Sequence, residues 1–169
     1  MIKTYSFDEE TQTLVVYSET GVEDFCKECN IALRDFNYKT VIDDSVTTCW
    51  GMFWNCKSFN QPVVIPDSVK KCSKLFEGCE LLNQPITIPN SVTTCRGMFR
   101  VCTSFNQPVV IPNSVINCCE MFEGCKSFNQ PVVIPDSVKY CYDMFYSCPH
   151  MNNDGTPKQS QESSTSIFG

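Results

Sequence analysis

Phe59-Asn60-Gln61-Pro62-Val63-Val64-Ile65-Pro66-Asp67-Ser68-Val69 returns almost letter for letter at Phe105 to Val115 and at Phe128 to Val138. Between them it appears as Leu82-Asn83-Gln84-Pro85-Ile86-Thr87-Ile88-Pro89-Asn90-Ser91-Val92. The offset is 23 residues each time, marked by Asn37, Asn60, Asn83, Asn106 and Asn129, with an echo at Asn152. Each copy continues through a cysteine, a (Met/Leu)-Phe pair and a second cysteine. An ungapped period in the twenties signals a solenoid, because one such unit cannot bury its apolar face alone and stacked neighbours can. Solenoids usually bind along a surface and less often carry out chemistry.

The repeat divides the chain. Residues 1–25 stand outside the register and read as a capping hairpin, with Thr4 to Phe7 and Thr13 to Tyr17 flanking a polar turn. Residues 26–150 form the solenoid: a degenerate half coil over 26–35, with Cys26 in register with Cys49, and then five coils, 36–58, 59–81, 82–104, 105–127 and 128–150. Residues 151–169 lose the pattern and read as a flexible polar tail. Within a coil, the prolines at 62 and 66 bracket a short strand with Val63 and Ile65 inward and Val64 outward. A turn at Pro66 to Val69 follows, then a short helical turn from Ser73 to Glu77. Phe59, Val63, Ile65, Val69, Cys72, Phe76, Cys79 and their equivalents are the expected core. The Asn and Gln columns are expected to stack as hydrogen-bonding ladders between coils.

Composition excludes several functions. With 19 acidic against 13 basic residues and a net charge of -6, the chain lacks the basic footprint that nucleic acid or an anionic membrane would need. No apolar run reaches the length of a membrane span. The opening residues lack the apolar centre of a signal peptide, so the expectation is cytoplasmic, with a cell surface or virion as the alternative. Thirteen cysteines suggest a disulfide scaffold, but ten of them form two five-member columns, Cys49 to Cys141 and Cys56 to Cys148. Neither column can pair off within itself. Reduced, buried thiols serving as small hydrophobes fit that pattern better. The Cys26-x-x-Cys29 pair with Cys49 alongside is the nearest approach to a metal site, but zinc usually takes two spaced pairs, and no metal or other cofactor is assigned. His150 is the only histidine, so a cysteine nucleophile lacks an evident base. No catalytic residue is assigned.

Two columns on the expected helical turn lie four residues apart and do not follow the repeat: Trp50/Trp54, Ser73/Glu77, Arg96/Arg100, Cys119/Glu123 and Tyr142/Tyr146. Tryptophan, tyrosine and arginine are enriched at binding hot spots, so Trp50, Trp54, Arg96, Arg100, Tyr142 and Tyr146 are the candidate partner-binding residues. Cys119, in a surface column, is the candidate reactive thiol. A second stripe, Val41, Val64, Thr87, Val110 and Val133, faces outward on the strand. It offers Val64, Val110 and Val133 for self-association.

The stretch from Val46 to Pro62, with its Cys49, Met52-Phe53, Cys56 and Phe59-Asn60-Gln61-Pro62, resembles the repeat of BspA-like surface proteins, a branch of the leucine-rich repeats. The Ile65-Pro66-Asp67-Ser68-Val69 element is similar to the Treponema-type leucine-rich repeat and to the Phe-Asn-Ile-Pro repeat of amoebae and giant viruses. Tyr5 to Leu14 resembles the hairpin that often caps such arrays. The resemblance implies a right-handed leucine-rich-repeat-like parallel β solenoid and a non-enzymatic role in protein–protein interaction or scaffolding. Two other readings are a surface or particle component assembled through lateral solenoid contacts, and a thiol-based metal or redox protein.

Overall fold

The computed structural model describes residues 3–158. It opens with β1 (Tyr5–Asp8) and β2 (Thr13–Val16), paired antiparallel with Tyr5 opposite Val16. The turn between them is built by Asp8, whose Oδ1 accepts the backbone N–H groups of Glu10 at 2.9 Å and Thr11 at 3.1 Å. Those donors hold the Asp8 carboxyl below its usual pKa. Helix α1 (Gly21–Glu28) follows. Its Val22, Phe25 and Cys26 recur at the spacing of one helical face and are buried. Gly21 is required at the helix start: a Cβ there would come within 2.7 Å of the Thr4 carbonyl oxygen and 2.8 Å of Val16. After a single 3-10 turn (Leu33–Asp35), β3 (Lys39–Ile42) pairs parallel to β2. Cys26 therefore belongs to α1 and not to a degenerate coil, and the boundary drawn at 25/26 falls inside that helix.

From Val46 onward the chain repeats without further regular strands. Thr48, Lys71, Thr94, Asn117 and Tyr140 are joined in series by parallel bridges, each to its equivalent 23 residues on. The expected core columns are buried except in the last coil, where Ile134 and Val138 are half-buried and Cys141 is exposed. Phenylalanine rings stack through them: Phe53 lies 5.4 Å from Phe76, Phe76 5.9 Å from Phe99, Phe99 5.5 Å from Phe122 and Phe122 5.6 Å from Phe145. Phe59, Phe105 and Phe128 pack against that row at 4.3 to 4.4 Å.

Two local expectations are corrected. The Pro62 to Pro66 segment is extended but is not a strand. Alternation survives, with Val63 and Ile65 buried and Val64 exposed. Proline lacks an N–H and holds the chain near polyproline geometry, so no ladder forms there. The Ser73 to Glu77 segment is not helical either. Each coil takes a left-handed residue at two columns, for example Lys74 (φ 60) and Gly78 (φ 78), then Gly97 (φ 59) and Val101 (φ 59). A helix cannot continue through such residues.

What this segment gains is a ladder between coils. The N–H groups of Cys49, Gly51, Phe53 and Asn55 donate to the carbonyls of Lys71, Ser73, Leu75 and Glu77 at 2.8 to 3.1 Å. The next coil repeats this, with Cys72, Lys74, Phe76 and Gly78 donating to Thr94, Arg96, Met98 and Arg100. In these four columns each coil donates forward and accepts from behind.

Side-chain ladders complete the stack. The Oδ1 atoms of Asn37, Asn60, Asn83 and Asn106 each accept the backbone N–H of the asparagine one coil on, at 2.9 to 3.0 Å. The hydroxyls of Ser68, Ser91, Ser114 and Ser137 donate to Val46, Val69, Val92 and Val115 carbonyls. The thiols of Cys79, Cys102, Cys125 and Cys148 donate to Phe53, Phe76, Phe99 and Phe122 carbonyls at 2.7 to 3.1 Å. Residues 151–158, placed with the polar tail on sequence grounds, close the last coil. Met151 bridges Pro157, and the Gly155 carbonyl accepts the Val132 N–H at 2.9 Å. The part of the tail from 159 onward lies outside the described residues. No helix among those described is long and apolar enough to cross a membrane.

Candidate partner-binding surface

The left-handed turns set the surface columns. At the first column Trp50 and Tyr142 are 58% and 56% exposed, and at the second Trp54 and Tyr146 are 50% and 62% exposed. Large aromatic rings are thus held outward at both ends of the array.

The middle of the stripe is charged and internally paired. Arg96 Nη2 lies 2.9 Å from Glu120 Oε1. Arg100 reaches Glu123 Oε2 at 3.0 Å and Glu77 Oε1 at 3.6 Å, while Lys74 Nζ lies 3.1 Å from Glu77 Oε2. Glu77 Oε2 and Arg100 Nε are buried within this group, yet neither contact aligns as a hydrogen bond. Charge attraction, more than directed bonding, holds Lys74 Nζ at Glu77 Oε2 and Arg100 Nε at Glu123 Oε2. The hydrogen bonds that are aligned, from Arg96 to Glu120 and from Arg100 to Glu123, raise both guanidinium pKa values further. Arg96 and Arg100 are therefore ties between neighbouring coils as well as surface groups. Glu77 and Glu123 stand in the stripe read from the sequence, but their pairing with Arg100, that of Glu120 with Arg96, and the serine ladder escaped that reading. The invariance of serine at 68, 91, 114 and 137 was the available signal for the latter.

Cys119 is corrected outright. It is fully buried, and Asn117 Oδ1 accepts its backbone N–H at 3.0 Å. Tyr142 on the next coil lies against it, and the Cys119 thiol pushes the Tyr142 phenol pKa up. The exposed thiols are Cys29 and Cys141. Cys26 and Cys49 are buried, and among the described residues no three Cys, His, Asp or Glu side chains gather as a metal site. Burial raises Cys26 to about 11 and Cys49 to about 12. His150 is exposed at the end of the last coil, while the neighbouring Cys148 thiol is engaged with Phe122.

Two further surfaces stand out. Trp50 and Trp54 line a cavity of about 400 Å³ between the cap and the first coil. On another face Val64, Val110 and Val133 are 82 to 83% exposed, and Val64 and Val110 line a shallow groove flanked by prolines.

Solved structures reveal the same architecture. A leucine-rich repeat protein of Treponema pallidum superposes with a TM-score of 0.57 at 21% identity, covering 85% of this chain and 64% of that one. A leucine-rich repeat protein of Bacteroides ovatus also gives 0.57, at 22% identity, over 86% of this chain and 38% of that one. The chain thus spans under two thirds of the length of either. At such identities the likeness establishes a leucine-rich-repeat-like fold and nothing finer. No curated protein sequence matches. A repeat-family pattern matches residues 24–113 and again 72–167, and on that match the chain belongs to the family described as Mycoplasma protein of unknown function, DUF285.

Proposed function

We propose that this protein is a non-enzymatic protein-interaction module: a right-handed solenoid of five coils that presents Trp50, Trp54, Tyr142 and Tyr146 to a protein partner, with Arg96 and Arg100 between them. The observation that carries this reading is the exposure of four large aromatic rings at columns where other coils place serine or glutamate. Stacking does not require aromatics there, and such rings anchor interfaces. Repeat arrays with this fold offer continuous surfaces suited to that use. Thirteen unpaired thiols suit a reducing, cytoplasmic setting.

The test is quantitative capture from native lysate by wild type and by Trp54→Ala with Tyr146→Ala. Both side chains are exposed, so the thermal transition is expected within about 1 kcal/mol of wild type. Partner recovery is expected to fall at least roughly tenfold. Full recovery with intact folding would remove the aromatic stripe. A second reading, self-association through Val64, Val110 and Val133, is favoured by their exposure and by the absence of charge in that column. Sedimentation separates the two readings: Val110→Lys would dissolve a valine-mediated dimer and leave aromatic-stripe binding intact.

A further inference from the structure

The cavity at the cap has an acceptor-rich wall. In every later coil the carbonyls at three alternating positions receive N–H groups from the coil before: Ser73 from Gly51 at 3.1 Å, Leu75 from Phe53 at 3.0 Å, Glu77 from Asn55 at 2.8 Å. The equivalent carbonyls of the first coil belong to Trp50, Met52 and Trp54. None of the three receives a hydrogen bond from the described residues. They face backward, as their equivalents do, toward the cavity that these same residues line. Where the other coils have a donor strand, this one has an opening.

The rest of the lining has the same electrostatic sense. Glu19 and Glu23 on the cap side and Glu77 on the second coil contribute carboxylates against a single cation, Lys74. Lys74 is already paired with Glu77, and Glu23 with Lys27 at 2.6 Å. Glu19 has no ion pair among the described residues. Two tryptophans supply the apolar wall, and an indole face attracts cations through its quadrupole. A ligand that satisfies unpaired carbonyls, a free carboxylate and indole faces together must be flat, rich in N–H donors and positively charged. Among protein groups that describes the guanidinium, with five donors and no acceptor.

We propose that the cavity between the cap and the first coil receives an arginine side chain of a protein partner. The claim rests on the interaction reading above and adds the chemistry of what is bound. An acidic chain, at a net charge of -6, would also draw a basic segment toward it before contact.

The site carries its own reporter, because Trp50 and Trp54 are the only tryptophans of the chain. The probe is an end-blocked pentapeptide with one arginine among glycines. The control carries citrulline, which keeps shape and most donors but loses the charge. The arginine peptide is expected to shift tryptophan emission saturably, with the citrulline peptide at least roughly fivefold weaker. Glu19→Gln with Glu23→Gln should lose roughly the same factor. Trp50→Phe, which keeps a ring, should bind more weakly without abolishing the response. Equal binding of the citrulline peptide, or no saturable change with the arginine peptide, overturns the assignment. If Trp54→Ala abolishes partner capture while the arginine peptide leaves emission unchanged, the cavity claim falls and the interaction reading stands. If the arginine peptide binds and partner capture ignores Trp54→Ala, the stripe falls and the cavity stands.

Discussion

A sulfur atom in this protein is governed by what lies beside it. In the column from Cys79 to Cys148 the thiol donates to a carbonyl that already accepts an N–H from its own coil, as Phe76 does from Cys79. An aliphatic side chain would fill that space but leave the second lone pair bare. Cysteine is small, apolar and still a donor, which accounts for its repetition there. Such a thiol is shielded and protonated, and so unreactive. Native-state alkylation at pH 8, read by peptide mass spectrometry, should therefore label Cys29 and Cys141 first. Cys119 should be among the slow group, since it is fully buried. Early labelling of Cys119 would contradict its burial. Cys141 shares a column with Cys49, Cys72, Cys95 and Cys118, all fully buried, and only its place at the end exposes it. A periodic sequence displays column membership plainly but does not display which copy lies uncovered.

The same limit applies to elements. The register, the core columns and the asparagine ladder are legible because identical residues at a fixed spacing must occupy identical environments. The backbone of the Ser73 to Glu77 segment is not legible from periodicity, since apolar residues three and four apart also suit a helix. The signal lay in glycine at positions 51, 78, 97 and 124, alternating between two columns with residues less suited to positive φ. Val101 is the least suited. A β-branched residue at φ 59 is strained, with costs of about 1–3 kcal/mol for such conformations. Its equivalents at 78 and 124 are glycine, and at 55 asparagine. Val101→Gly should raise stability by roughly 1 kcal/mol in urea titration, despite the loss of a partly exposed side chain. Gly78→Ala should do the opposite, because its Cβ would collide with Asn55 Oδ1. If Val101→Gly destabilises, the left-handed assignment at this column is in error. The Arg96 and Arg100 pairings were illegible for a different reason: the glutamates that hold them are neighbours only across coils, and no repeat rule specifies their identity.

Across the whole molecule the buried thiols act together. Ten of them, Cys26, Cys49, Cys56, Cys72, Cys79, Cys95, Cys102, Cys118, Cys125 and Cys148, have raised pKa values, with burial the largest cause in each. An acid whose folded pKa lies above its unfolded value keeps its proton longer in the folded state. The folded state then loses ground as pH rises past the unfolded value of 9, and goes on losing it up to the folded value, about 12 for Cys49 and Cys118. Each such thiol weakens folding by about 1.4 kcal/mol per pH unit within that window. The losses of several such thiols together become comparable with the total stability of roughly 5–15 kcal/mol typical of a domain. Circular dichroism under reducing conditions should therefore show cooperative unfolding as pH rises above about 9. A chain still native at pH 11 would mean that these thiols are not held as the column packing implies.

The inter-coil ladder also has a sense of direction, and direction limits symmetry. In the four columns that donate forward, the last coil leaves the N–H groups of Cys141, Asp143, Phe145 and Ser147 without acceptors among the described residues. The opposite end exposes carbonyls. Two donor rows cannot mate with each other, nor can two acceptor rows. A two-fold dimer joined end to end would therefore gain no ladder hydrogen bond from these four columns, since an isologous contact must be its own complement. Only a head-to-tail join satisfies both rows, and without closure such a join propagates as a filament. The hairpin and α1 stand over the acceptor end. The cap that closes the core thus also terminates the chain reaction that a bare stack of coils would permit.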